Sequence, residues 1–217
     1  MRRVPVLLLV LAAAACHPTQ SDLAQLGRMQ RQPDPRVNAG EQIACDARDP
    51  VCVRLQVARG SACQQLAEAL PTPDERLAQR RCALEAFTAA RGLLPDGAEA
   101  EDRRQVLVGL AFARSADRDN APTAANPAAA AARDAELAAD LPALRATPRG
   151  APYAAFFEAQ SRGWRALRPG LATPDACRLS SEALAALPAD PLPDDLRQKA
   201  TTLRGSLGAF RTAKGCA

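Results

Sequence analysis

Proline and glycine recur along this chain at intervals of helical length, and the stretches between them are dominated by alanine, leucine and charged residues. Proline removes a backbone donor and clashes with the preceding turn, so each one marks a place where a helix starts, ends or bends. Aromatics make up 3% of the sequence, and β-branched residues are sparse, a composition that disfavours sheets. The body is therefore expected to be all-α.

Seven segments carry the pattern. Pro50 to Leu70 keeps Val53, Val57 and Leu66 near one face until Pro71-Thr72-Pro73-Asp74 interrupts it. Asp74 is the expected N-cap of the next helix, Glu75 to Leu94, whose apolar side is Leu77, Leu84, Phe87 and Leu93. A third helix covers Glu99 to Ala116, with Val106, Leu107, Leu110, Phe112 and Ala113 at helical spacing, before a polar loop at Asp117 to Pro122. The alanine-dense stretch from Ala128 to Arg145 reads as a helix ended or kinked at Pro142, with a low-complexity linker as the alternative. Further helices are expected at Pro152 to Leu167, from Thr173 or Pro174 to Leu187, and from Asp194 or Asp195 to just before Cys216. Short loops between helices make antiparallel hairpins the default packing.

Cysteine placement refines this picture. Of seven cysteines, Cys16 closes an apolar N-terminal run and six lie in the polar body. Those six are expected to form disulfides in an exported chain, although sequence alone leaves several pairings open. The turn at Pro71 to Asp74 lies midway between Cys63 and Cys82, so an antiparallel hairpin brings these two opposite each other. Such a bridge closes a loop of about 20 residues and contributes about 3 kcal/mol. Cys45 is close to Cys52 in sequence, and Cys177 and Cys216 remain to tie the last helices. A redox-catalytic pair is disfavoured by the absence of C-x-x-C, and the spacing from Cys45 to Cys82 is wrong for a zinc ribbon or finger.

Met1-Arg2-Arg3 precedes an apolar run from Val4 to Ala15, 12 residues long. That is well below the roughly 20 needed to span a bilayer, and the layout is that of a secretory signal. Ala14-Ala15-Cys16 resembles the lipobox of bacterial lipoproteins, in which the cysteine thiol is diacylated and the freed amine is acylated after cleavage. Ala13 departs from the family's usual Leu or Val, and the nearest leucine is Leu11. The alternative is a plain signal peptide cut before a free Cys16. The residue after Cys16 is His17 instead of the aspartate that retains such proteins at the inner membrane, so the resemblance implies an outer-membrane anchor facing the periplasm. Residues 1–15 are then signal peptide, 16–36 a lipidated N-terminus and tether with Pro18, Pro33 and Pro35, and 37–217 one all-α domain.

Two helices repeat a spacing. Ala83-x3-Phe87-x2-Ala90-x4-Pro95 and Ala176-x3-Ser180-x2-Ala183-x4-Pro188 resemble the second helix of a tetratricopeptide repeat, and Gly109 with Phe112 resembles part of its first helix. Ser180 stands where that family has an aromatic, and the first-helix signature is never complete. The resemblance implies a tetratricopeptide-like array; the residues alone are equally compatible with a disulfide-stapled helical bundle.

Composition narrows function by exclusion. His17 is the only histidine, which removes Ser-His-Asp, Cys-His and histidine-ligated zinc chemistry from the body. No phosphate-binding glycine motif occurs, and no cofactor or metal is expected. The formal charge is +4, two units of which belong to Arg2 and Arg3, too weak for a nucleic-acid surface. Paired carboxylates could in principle cleave glycans, but Glu41, Glu68, Glu85, Glu99, Glu136, Glu158 and Glu182 all read as helix-surface residues. Tyr153, Phe156 or Phe157, Gln160 and Trp164 fall on one largely aromatic stripe flanked by Arg162, Arg165 and Arg168. Core is the expected use of this stripe, with a partner-binding face as the alternative. The expectation is thus a non-catalytic, outer-membrane lipoprotein that binds another envelope protein as an adaptor or assembly factor. An inhibitor or immunity lipoprotein directed against an envelope-targeting enzyme is the alternative.

Overall fold

The computed structural model describes residues 20–45, 48–188 and 192–216; Cys16 and His17 lie outside them. Ten helices and no strand occur among the described residues: α1 (Gln20–Arg31), α2 (Pro35–Gly40), α3 (Pro50–Ala69), α4 (Pro73–Leu93), α5 (Ala100–Arg118), α6 (Ala121–Ala124), α7 (Pro127–Arg145), α8 (Ala151–Ala166), α9 (Thr173–Ala186) and α10 (Asp194–Lys214). The long helices pack mainly on their neighbours in sequence, α3 on α4, α4 on α5, α5 on α7, α7 on α8 and α8 on α9; α10 returns onto α8 and α9.

Caps explain the boundaries. Asp49 accepts from the amide of Val51 and Pro50 opens α3, a position where proline loses nothing because its N–H would be unpaired anyway. Thr72, not Asp74, caps α4: its hydroxyl accepts from the Glu75 amide while the Glu75 carboxylate returns to the Thr72 amide, and Asp74 falls inside the first turn. Such a reciprocal cap satisfies two orphan donors where Asp74 would have satisfied one. The alanine-dense segment is a helix, α7, and Pro142 lies inside its last turn. Leu137, Leu141 and Leu144 are buried, and the amide of Ala146 still closes onto the Pro142 carbonyl at 3.1 Å. The proline removes the donor to the Ala138 carbonyl, and burial of the three leucines holds the last turn in helix despite that loss.

The tether expected up to Arg36 is folded from Gln20 onward. Helix α1 buries Leu26 and Met29 against Leu55 of α3, and α2 starts at Pro35 under an Asp34 cap. Asn38 Nδ2 donates to the Met29 carbonyl at 3.0 Å, joining the two. Burial of two large apolar side chains, worth about 1.5–3 kcal/mol each, outweighs the proline-rich look of the segment.

The disulfides join Cys45 to Cys52, Cys63 to Cys82 and Cys177 to Cys216, with Cα separations of 5.3, 5.9 and 5.4 Å. The second clamps the α3–α4 hairpin. Above it, Phe87 of α4 is fully buried and lies where Gly60 of α3 and Gly109 of α5 have no side chain. A Cβ on Gly60 would come within 2.8 Å of the Phe87 ring, and one on Gly109 within 2.1 Å. Three helices thus meet around one ring.

The second half has a larger apolar core, in which Leu107, Leu137, Leu144, Phe157 and Leu196 pack together. Beside it runs a buried ionic seam. Asp134 of α7 accepts from Arg118 Nη1 at 2.9 Å, Ser161 Oγ at 2.7 Å and Arg165 Nε at 2.8 Å, which ties α5, α7 and α8 together. Arg118 and Asp134 are 1% and 2% exposed; breaking such a pair from one side typically costs about 3–5 kcal/mol. Farther along, Asp140 receives both Arg91 and Arg114.

Candidate functional site

The aromatic stripe of α8 is core. Tyr153, Phe156 and Phe157 are all buried, and Phe156 and Phe157 pack against Phe112 of α5. The guanidinium groups of Arg118 and Arg168 lie 5.1 and 5.5 Å from the centre of the Trp164 ring. Of the flanking arginines, Arg165 is bound to Asp134 and Arg162 to Glu158 at 2.7 Å. These residues do not form an open contact face, because the alanine-rich helices need their large groups to fill volume.

What the stripe helps to build is a groove. A cavity of about 870 Å³ lies between a wall made by α3, α4 and α5 and a wall made by α8 and α10. Phe112 and Phe156, with Ala83, Ala113 and Leu203, supply its apolar surface. Four amides, Gln64, Gln65, Gln160 and Gln198, also line it, as do Ser61, Ser115, Thr202 and Ser206. Gln64 Nε2 donates to the Gly109 carbonyl at 3.1 Å, whereas the Gln160 Oε1 is buried and has no hydrogen-bond partner.

Charge in the groove is unevenly cancelled. Glu68, Asp119, Asp194 and Asp195 line it together with Arg80 and Lys199. Asp119 is matched by Arg118 and Asp194 by Arg197. Asp195 is instead hydrogen-bonded by the neutral phenol of Tyr153 at 2.8 Å. Burial, reinforced by this carboxylate, pushes the Tyr153 hydroxyl up to about 12, so the phenol stays protonated as a donor. Lys199 spans the groove: its ammonium is 3.1 Å from Glu68 Oε1 on the opposite wall and 5.3 Å from the centre of the Phe112 ring.

A smaller cavity, about 340 Å³, is lined by Leu26, Arg54, Glu99 and Asp102 among others. Arg54 fills its chemistry by binding Asp102 through Nε at 2.9 Å and Glu99 at 3.1 Å. Most of the glutamates considered as catalytic carboxylates are held by cations or amides: Glu41 by Gln25, Glu68 by Lys199, Glu99 by Arg54, Glu136 by Arg133, Glu158 by Arg145 and Glu182 by Arg178. No cluster of three or more metal-ligating side chains occurs among the described residues, and no described helix is long and apolar enough to cross a membrane.

Sequence reasoning missed Gln64, Asp195 and Lys199 as groove residues, whereas Gln160 belongs to the aromatic stripe it singled out. The only signal for Lys199 was its rarity, since it and Lys214 are the chain's two lysines. No protein-family model, curated protein or solved structure matches the chain.

Proposed function

We propose that this chain is a lipid-anchored envelope protein that acts without catalysis, holding another envelope protein at the periplasmic face of the outer membrane as an adaptor or assembly factor. The observation that carries the reading is the groove: an open cleft of about 870 Å³ with two aromatic residues and a border of amides and hydroxyls. Aromatic anchors within a polar rim are the usual composition of a protein-recognition surface. The lipobox-like end at Cys16 and three cystines in the body are consistent with export and anchoring. Anchoring would add affinity by raising the local concentration of the site at the membrane.

The test has two parts on full-length protein made in bacteria. Mass spectrometry of the membrane fraction should find Cys16 triacylated as the N-terminus. A photocrosslinking residue at Thr202 in the groove should give a discrete adduct in intact cells, and the same residue at Ala185, outside the groove, should not. An unmodified Cys16 removes the anchor; equal labelling from both positions removes the groove as the binding face.

A further inference from the structure

We infer that the groove receives an extended segment of another polypeptide carrying a lysine, whose ammonium takes the seat that Lys199 occupies in the free protein. The inference rests on the protein-binding reading and specifies its partner. Lys199 shows what the site recognises: an ammonium flanked by the Glu68 carboxylate at 3.1 Å and the Phe112 ring at 5.3 Å. The seat is shared between α10 and α3, whose contributing residues are 131 apart in sequence. Both charged side chains remain well exposed, Lys199 at 41% and Glu68 at 72%. Ion pairs of that kind are weak and screened, so a ligand ammonium held by additional contacts can displace this one.

Two features favour a polypeptide over a small amine. Along α10 the lining runs from Asp194 to Ser206, about 18 Å at 1.5 Å per residue, the span of about five extended residues. Amides recur along that length, Gln64, Gln65 and Gln198 among them, side chains able to pair with the N–H and C=O groups of an extended backbone. The charge permits it. Outside the Asp119–Arg118 and Asp194–Arg197 pairs, Glu68 and Asp195 are balanced in the lining by Arg80 and Lys199, so a ligand ammonium takes over the Glu68 carboxylate from Lys199, while Asp195 is held by the neutral Tyr153 phenol.

The experiment is selection from a randomised dodecapeptide display library on the purified, oxidised protein, followed by fluorescence anisotropy with the selected peptides. Lysine should be enriched at one or more positions, and replacing it by norleucine should weaken binding about tenfold, as loss of a paired cation on an aromatic ring would. Lys199→Met should tighten lysine peptides about threefold by emptying the seat, and Glu68→Gln should abolish the lysine preference. Both positions are exposed, so circular dichroism should show unchanged melting; Phe112→Leu serves as a third variant with the same expected loss of preference. No lysine enrichment, or unchanged affinity in Lys199→Met, overturns the inference. Spermidine competing as tightly as the peptides overturns the polypeptide assignment. A Thr202 adduct in cells without lysine preference sinks this inference and leaves the adaptor reading intact. Lysine-selective peptides with no adduct in cells sink the adaptor reading and leave the groove chemistry intact.

Discussion

Tyr153 is the one tyrosine of the chain, so its ionisation reports on a single place in the fold. Burial is the larger cause of its upward shift to about 12 and the Asp195 carboxylate the second. The folded value lies above the ordinary 10, so the stabilisation from the neutral phenol is complete below pH 10 and is lost as pH rises from 10 through about 12. A pH-jump titration read at the tyrosinate absorbance should give a midpoint near 12. Asp195→Asn keeps an acceptor but removes the charge, and should lower the midpoint only part of the way to 10. A midpoint at 10 in the unmodified protein would mean that the Tyr153 ring is not packed under α10. Asp134 illustrates a different use of a carboxylate. Its oxygens accept from Arg118, Ser161 and Arg165, which leaves little capacity for a further ligand, so its role is to join helices.

At the scale of elements, Phe87 decides how close α3, α4 and α5 approach. Gly109→Ala would put a methyl group 2.1 Å from its ring, and overpacking of that kind typically costs about 1–3 kcal/mol. In α10, by contrast, an added Cβ at Gly205 meets nothing within 4 Å, so Gly205→Ala should stabilise by about 0.5–1 kcal/mol through the lower entropy of the unfolded chain. Urea denaturation of the two variants should therefore move in opposite directions, and Phe87→Leu combined with Gly109→Ala should cost less than the sum of the singles. Equal destabilisation by both alanines would contradict the packing around Phe87. The seven long helices of the body were legible in the sequence because proline and glycine punctuate them locally, but their caps were less so: Thr72, not Asp74, caps α4, and the Asn126-Pro127 start of α7 was not read. The Asp34-Pro35 cap of α2 carries the same signal and was overlooked among the neighbouring prolines. Leu23, Leu26 and Met29 gave α1 only three large apolar positions, too few to outweigh a tether until Leu55 is seen opposite the two that are buried, Leu26 and Met29.

For the whole molecule, the Cys63–Cys82 pairing followed from local hairpin geometry, with Cys45–Cys52 suggested by nearness in sequence and Cys177–Cys216 by what remained, whereas the groove depends on where the chain ends up seven connections after α3. No local pattern joins Glu68 to Lys199 or Tyr153 to Asp195. That distance makes the groove only as firm as the attachment of α10, which buries Leu196, Ala200 and Leu207 along its whole length. Its far end is held by Cys177–Cys216 and by Arg211, which donates to the Cys177 carbonyl at 3.2 Å. The disulfide closes a loop of about 40 residues, worth up to about 4 kcal/mol by chain entropy. Replacing both cysteines by serine should therefore speed amide exchange in α10 by as much as about a thousandfold, because a helix with so narrow an apolar stripe opens separately once its end is free. Amides of α3, α4 and α5, clamped by Cys63–Cys82 and packed around Phe87, should keep their protection. Selected lysine peptides should then bind more weakly in proportion to the time α10 spends detached, since it supplies Asp195, Gln198 and Thr202 to the groove. Exchange that accelerates equally in every helix would instead mean that α10 detaches only with global unfolding, and that the groove is as rigid as the core beneath it.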